Sequence, residues 1–141
     1  MELALKQAKE SEINGEVPVG AVFVDKGEVI SASGNQPIGL NDPTAHAEIL
    51  ALRKAAEIKG NYRLGGSLYV TLEPCIMCIG ALIHARIEHL IFGAFYHRAG
   101  AAGTIYDFSN SSDLNHKFEV LGGMLEKKCQ SLLKDFFKQR R

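Results

Sequence analysis

The chain has 141 residues, 46% of them hydrophobic and 23% charged, and its formal net charge is zero at pH 7. A chain of this length buries about 68–70% of its unfolded surface on folding, so one domain, 1–141, with its own core is expected. The composition excludes a disulfide-stapled miniprotein, a disordered chain and a uniformly basic nucleic-acid binder, and no apolar run reaches the length of a membrane span. The first residues, MELALKQAKESE, mix acid and base without an apolar signal-type core, which points to the cytoplasm.

Taken in order, residues 2–13 read as a helix, with Leu5 and Ala8 on one face and Gly15 beyond its end. VPVGAVFVD (17–25) and EVISASG (28–34) flank Lys26-Gly27, the pattern of a tight β-hairpin. Turn residues follow, then a helix over 44–58, rich in Ala, Leu, Arg and Lys. GSLYVTLE (66–73) is a strand. PCIMCIGALIHARI (74–87) starts a buried helix, with Pro74 expected in its first turn. EHLIFGAF (88–95) is a second apolar strand. A Gly/Ser-rich loop, the short strand FEVLGG and a closing helix over MLEKKCQSLLKDFFK complete the chain. Helices alternating with strands imply parallel pairing in the middle, and the hairpin adds an antiparallel pair, so the sheet is mixed. The closing stretch carries Lys127, Lys128, Lys134, Lys138, Arg140 and Arg141 against Asp135 alone. A solvated helix face, or cations matched to a helix C-terminus, explains that charge without a partner.

Cys75 and Cys78 stand at i and i+3 on a helix start, where free N–H groups favour thiolates. A C-x₂-C pair serves a redox couple, a structural zinc site or a catalytic one. His46, near another helix N-terminus, would complete a Cys₂His set that leaves a fourth position for water. A structural site needs a fourth protein ligand; Cys129, His84, His89, His97 and His116 are available, but none has paired spacing. Glu48, two residues after His46, cannot share its helical face, yet a first-turn glutamate can reach a metal-bound water. Standing alone it would read as an ordinary helix glutamate near the favourable end of the dipole.

H-A-E followed by P-C-I-M-C is the signature of the zinc nucleobase deaminases. With GEVPVGAV, the stretch around DPTAHAEI, NYRL, LYVTLEPCIMCIGALIHARI, GAAG and LLKDFFKQRR, nearly the whole chain resembles the bacterial tRNA-specific adenosine deaminases. The resemblance implies a three-layer α/β/α cytidine deaminase-like fold with a mixed sheet of about five strands. It implies one Zn²⁺ per subunit on His46, Cys75 and Cys78. Glu48 would be the acid–base residue that moves protons as adenosine at the wobble position of a tRNA anticodon stem-loop becomes inosine. It further implies that Asn35 and the backbone of Ala47 and Leu72 line the base pocket. His116, Lys117 and the Gly-rich loop would hold phosphate or ribose, and Phe137, Arg140 and Arg141 would meet the anticodon loop. A homodimer, with no membrane association, is implied as well. One departure stands out. The family has an Arg-Asp or similar acidic pair after FGA, whereas this chain has Phe95-Tyr96, so Tyr96 replaces the carboxylate expected at the flanking ribose. A free-purine deaminase such as guanine deaminase, a zinc-stabilised RNA-binding module and a thiol oxidoreductase are the rival readings.

Overall fold

The computed structural model describes residues 1–140; Arg141 lies outside the described residues. The elements run α1 (Glu2–Ile13), β1 (Gly20–Asp25), β2 (Glu28–Gly34), α2 (Pro37–Leu40), α3 (Ala47–Lys59), β3 (Ser67–Leu72), α4 (Ile76–His84), β4 (His89–Ala94), β5 (Glu119–Gly122) and α5 (Glu126–Gln139). The strands form one sheet in the order β2-β1-β3-β4-β5. β1 pairs antiparallel with both β2 and β3, while β3, β4 and β5 are mutually parallel. The hairpin turns on Lys26 and Gly27, both at positive φ (50° and 78°), which suits the right-handed twist of the strands it joins.

α1 and α5 cover one face of the sheet, and α3 and α4 the other. This is the expected three-layer α/β/α arrangement around a five-stranded mixed sheet. The main core lies under α3 and α4, where Phe23, Leu68, Val70, Leu90 and Phe92 meet Ala51, Ala55, Ile79 and Leu82. Alanines at 47, 51 and 55, all fully buried, let α3 lie close against β1 and β2. A smaller cluster on the other face joins Leu5, Ala94 and Cys129, with Leu72 and Leu132 packed beside them. No helix among the described residues is long and apolar enough to cross a membrane.

Several boundaries move for local reasons. β1 begins at Gly20, three residues later than the apolar run suggests. Pro18 has no N–H to give to a ladder, and the Val19 N–H closes back on the Val17 carbonyl (2.9 Å). α2 was not expected; Glu16 creates it by accepting the N–H groups of Ile38 (3.0 Å) and Gly39 (2.9 Å). α3 starts at Ala47 and not at Thr44, because the Asp42 carboxylate draws the N–H and hydroxyl of Thr44 into a local turn. Pro74 precedes α4 entirely, since Cys75 is extended (φ −76°, ψ 175°) and forms the N-cap. α4 ends at His84, short of the expected 87, and Arg86 then takes a left-handed conformation (φ 59°).

Leu82 is fully buried at the centre of the larger core. Leu82→Ala is expected to cost about 2–5 kcal/mol through lost transfer energy and the cavity left behind. The midpoint of urea denaturation of the zinc-loaded protein checks this; a change below about 1 kcal/mol would show that α4 contributes little to the core.

Candidate metal centre

The site forms where two helix N-termini converge at the carboxyl ends of the parallel strands. β3 ends at Leu72, and Glu73-Pro74 leads directly to Cys75, the N-cap of α4, with Cys78 on the same turn. His46, extended (φ −69°, ψ 152°), is the N-cap of α3. Neither helix has a side-chain cap hydrogen bond, so the positive ends of both dipoles face the ligand atoms.

His46 Nδ1 lies 3.7 Å from Cys75 Sγ and 3.5 Å from Cys78 Sγ. All three ligand atoms fall within 4.8 Å of one another. A tetrahedral ion with metal–sulfur and metal–nitrogen bonds of about 2.3 and 2.0–2.1 Å would separate its nitrogen and sulfur ligands by about 3.5–3.6 Å. The donor set and its spacing therefore fit zinc with one coordination position left for solvent. Cys75 and Cys78 are free thiols, and His46 beside them supplies the third ligand that a metal needs. Cys129 is buried against Gly93 on the other face of the sheet, and no fourth Cys, His, Asp or Glu joins the group among the described residues.

The electrostatics follow from burial and proximity. The Cys78 thiol donates to Cys75, and with His46 beside it this draws the Cys75 thiol down to about 4. The proton shared within the pair stays on Cys78, whose ionisation is pushed up by the Cys75 thiolate and by burial. His46 is held above the ordinary histidine range by its hydrogen bond to Cys75, with the charge of Glu48 adding to it. Glu48, the second residue of α3, is only 4% exposed. Burial pushes its carboxyl up to about 7 against the opposing pull of its own backbone N–H and of His46.

The other expected residues divide by position. Asn35 is buried, directly follows β2 and gives its N–H to the Val19 carbonyl (2.9 Å). Gly34 pairs with Gly20, whose N–H reaches Thr71 Oγ1 (3.1 Å), so Asn35 sits at the same end of the sheet as Leu72 and the Cys pair. Ala47 opens α3 beside His46, and Tyr96, half-buried, follows β4 at that end. α5 passes over Leu72 through Leu132 and Leu133. Beyond them Phe136 is buried and carries the Arg140 guanidinium on its ring at 3.6 Å, while Phe137 is 49% exposed.

His116 and Lys117 are placed elsewhere. The His116 Nε2 lies 2.7 Å from the Ile87 carbonyl, and Ile87 precedes β4. That is the end of the sheet marked by the Ser67–His89 pair, whereas Leu72 pairs with Ala94 at the metal end. The two ends are about 16 Å apart at strand rise. Within one chain these two residues therefore do not join the pocket, because β5 runs parallel to β4 and its entrance lies at the far edge. Two buried carboxylates at the metal end, Glu16 and Glu73, carry the loops there. The sequence reads Glu73 either as a support behind the metal ligands or simply as the residue before Pro74, and gives Glu16 no role.

Comparison with known proteins agrees with this geometry. Residues 1–94 match the family described as the cytidine and deoxycytidylate deaminase zinc-binding region. The chain is 48% identical to a tRNA-specific adenosine deaminase of Haemophilus influenzae over all of its own length and 83% of that protein. It is 43% identical to one of Bacillus subtilis, again over its full length and 88% of the relative. A solved chain from a study of A-to-I editing by tRNA:A34 deaminases at the wobble position superposes with a TM-score of 0.91. The two share 45% identity, covering 94% of this chain and 97% of the other.

Cys78→Ala removes one of three ligands, so zinc bound to the purified protein is expected to fall from about one ion per chain to a small fraction of that. Metal analysis by mass spectrometry after gel filtration checks it. Undiminished zinc in Cys78→Ala would show that the metal binds elsewhere.

Proposed function

The chain belongs to the tRNA-specific adenosine deaminases of the zinc-binding cytidine and deoxycytidylate deaminase family, and we propose that it converts adenosine to inosine at the wobble position of a tRNA anticodon loop. The observation that carries this reading is the His46, Cys75 and Cys78 triad with the buried carboxyl of Glu48 beside it. A structural zinc site has no use for a carboxyl that is buried and raised to about 7.

His46 Nδ1 and the sulfurs of Cys75 and Cys78 would hold the zinc ion, which when bound acts as a Lewis acid that lowers the pKa of a coordinated water. Glu48 then does the proton work. Buried beside the metal ligands, with its carboxyl raised above the ordinary carboxylate range, it accepts a proton from water and passes it to N1 of the adenine ring. The water oxygen bonds to C6; Glu48 then takes the second proton of that oxygen and gives it to the amino group, so the C6–N bond breaks, ammonia departs and a C6 carbonyl remains. Asn35, buried at the same end, offers its amide to the polar edge of the purine, and the backbone of Ala47 and Leu72 closes the pocket beside the metal ligands.

The anticodon loop is single-stranded, so delivering its base costs little unstacking. Tyr96 at the pocket mouth offers a ring face and one hydroxyl to the flanking nucleotide in place of a carboxylate. Phe137 and Arg140 on the exposed end of α5, with Arg141 beyond the described residues, extend that surface toward RNA. His116 and Lys117, at the other end of the sheet within one chain, would meet phosphate or ribose of the RNA away from this pocket. The protein works in the cytoplasm as a homodimer. In support, Ile76 at the start of α4 (58% exposed) and Ile105 and Tyr106 in the Gly-rich loop (48% and 51%) leave apolar surface uncovered beside the site. β4 itself is buried apart from His89.

Glu48→Gln is expected to keep its zinc and its affinity for an anticodon stem-loop but to lose about 10²–10⁴-fold in turnover, read as inosine by mass. Turnover equal to wild type would remove Glu48 from its role. Wild-type affinity for the stem-loop should fall linearly on a log–log scale with salt. Release of ammonia from free guanine or adenosine, with none from the stem-loop, would favour the free-purine reading.

A further inference from the structure

The mechanism leaves two buried carboxylates unused, Glu16 and Glu73, and the second lies beside the metal ligands. Glu73, between β3 and Pro74, is 1% exposed, and no cation pairs with it among the described residues. Its partners all come from one loop. Oε2 accepts the Tyr96 N–H (3.0 Å) and the Thr104 hydroxyl. Oε1 accepts the N–H groups of Ala102 (3.0 Å) and Thr104 (3.1 Å). The loop closes on the carboxylate so tightly that a Cβ at Gly100 would stand 2.5–2.7 Å from all three carboxyl atoms.

The backbone on either side completes the arrangement. The Glu73 N–H donates to the Ala94 carbonyl (2.8 Å), and the Pro74 carbonyl accepts from Ala101 (2.9 Å). The loop from Phe95 to Tyr106 has few apolar anchors of its own: Ala101 and Ala102 are buried, but Phe95, Ile105 and Tyr106 are exposed. A single carboxylate with four charge-assisted bonds thus sets where the loop lies, and only Pro74 separates it from the ligand Cys75.

We propose that Glu73 is the positioning residue that fixes the 95–106 loop, and Tyr96 with it, against the metal end of the sheet. Through the loop it governs RNA binding, and it takes no part in metal binding or proton transfer. The inference rests on the tRNA reading above for its substrate. Glu73→Gln tests it, because a carboxamide turns an NH₂ toward a pair of donors and keeps one acceptor oxygen for the rest.

With zinc still near one ion per chain, hydrogen–deuterium exchange at the amides of Tyr96, Ala102 and Thr104 should accelerate. KM for the anticodon stem-loop should rise about tenfold or more, with kcat within about threefold. Gly100→Ala presses on the same contact from the loop side and should give the same pattern. The double variant should be no worse than the worse single one, since both break one interaction. Unchanged exchange and KM would overturn the proposal, as would lost zinc, or a fall in kcat at constant KM in either variant. Should Glu73→Gln fail to fold, Gly100→Ala decides. Wild-type protein that makes no inosine from the stem-loop would overturn the substrate reading instead. Exchange in the zinc-loaded variants would then settle the anchoring by itself.

Discussion

Two helices aim their N-termini at one point, and the rest of the molecule is arranged so that they can. Each terminus presents backbone N–H groups that the helix cannot satisfy, and the groups set against them are a cysteine pair sharing one proton and a histidine. The parallel strands β3 and β4 make the convergence possible. A strand that ends at the sheet's carboxyl edge and turns directly into a helix delivers that helix N-terminus to the edge. Cys75 and Cys78 arrive this way. His46 arrives by another route, from the antiparallel hairpin through α2 and a turn tied by Asp42. The mixed character of the sheet is therefore what brings a ligand of one segment to within 3.5 Å of a ligand of the other.

Much of this was legible in the sequence because it is local. Helix and strand periods, the Lys26-Gly27 turn and the C-x₂-C spacing each depend on a few neighbouring residues, and the metal triad and Glu48 were named from short motifs. Expectations failed where a distant side chain decides the backbone. α2 exists because Glu16 reaches 22 residues ahead; Pro37 suits a first helical position, but PIGL has no period long enough to announce a helix. The 95–106 loop reads as a Gly-rich connection, yet a carboxylate from another element organises it. His116 and Lys117 show another limit: motif resemblance gives them phosphate or ribose to hold, but only topology tells which edge of the sheet their loop visits. β5 enters from the far end, and those residues stay there.

Three glutamates are buried among the described residues, and their surroundings separate their work. Glu16 meets two backbone N–H groups, and Glu73 meets three N–H groups and a hydroxyl. A carboxylate furnished in this way exchanges its water shell for fixed donors, and its charge serves to hold backbone in place. Glu48 has no such cage. Its contacts are its own backbone N–H and the thiol of Cys78, so burial outweighs them and its carboxyl rises to about 7. A group that is to take and return protons near neutral pH must not be locked in either form. Glu48 holds no distant backbone, while Glu16 and Glu73 keep the surrounding loops in place. The same side chain thus builds the frame twice and is left available for chemistry once, and what each carboxylate holds decides which: backbone of a distant segment for Glu16 and Glu73, its own helix start and a metal-ligand thiol for Glu48.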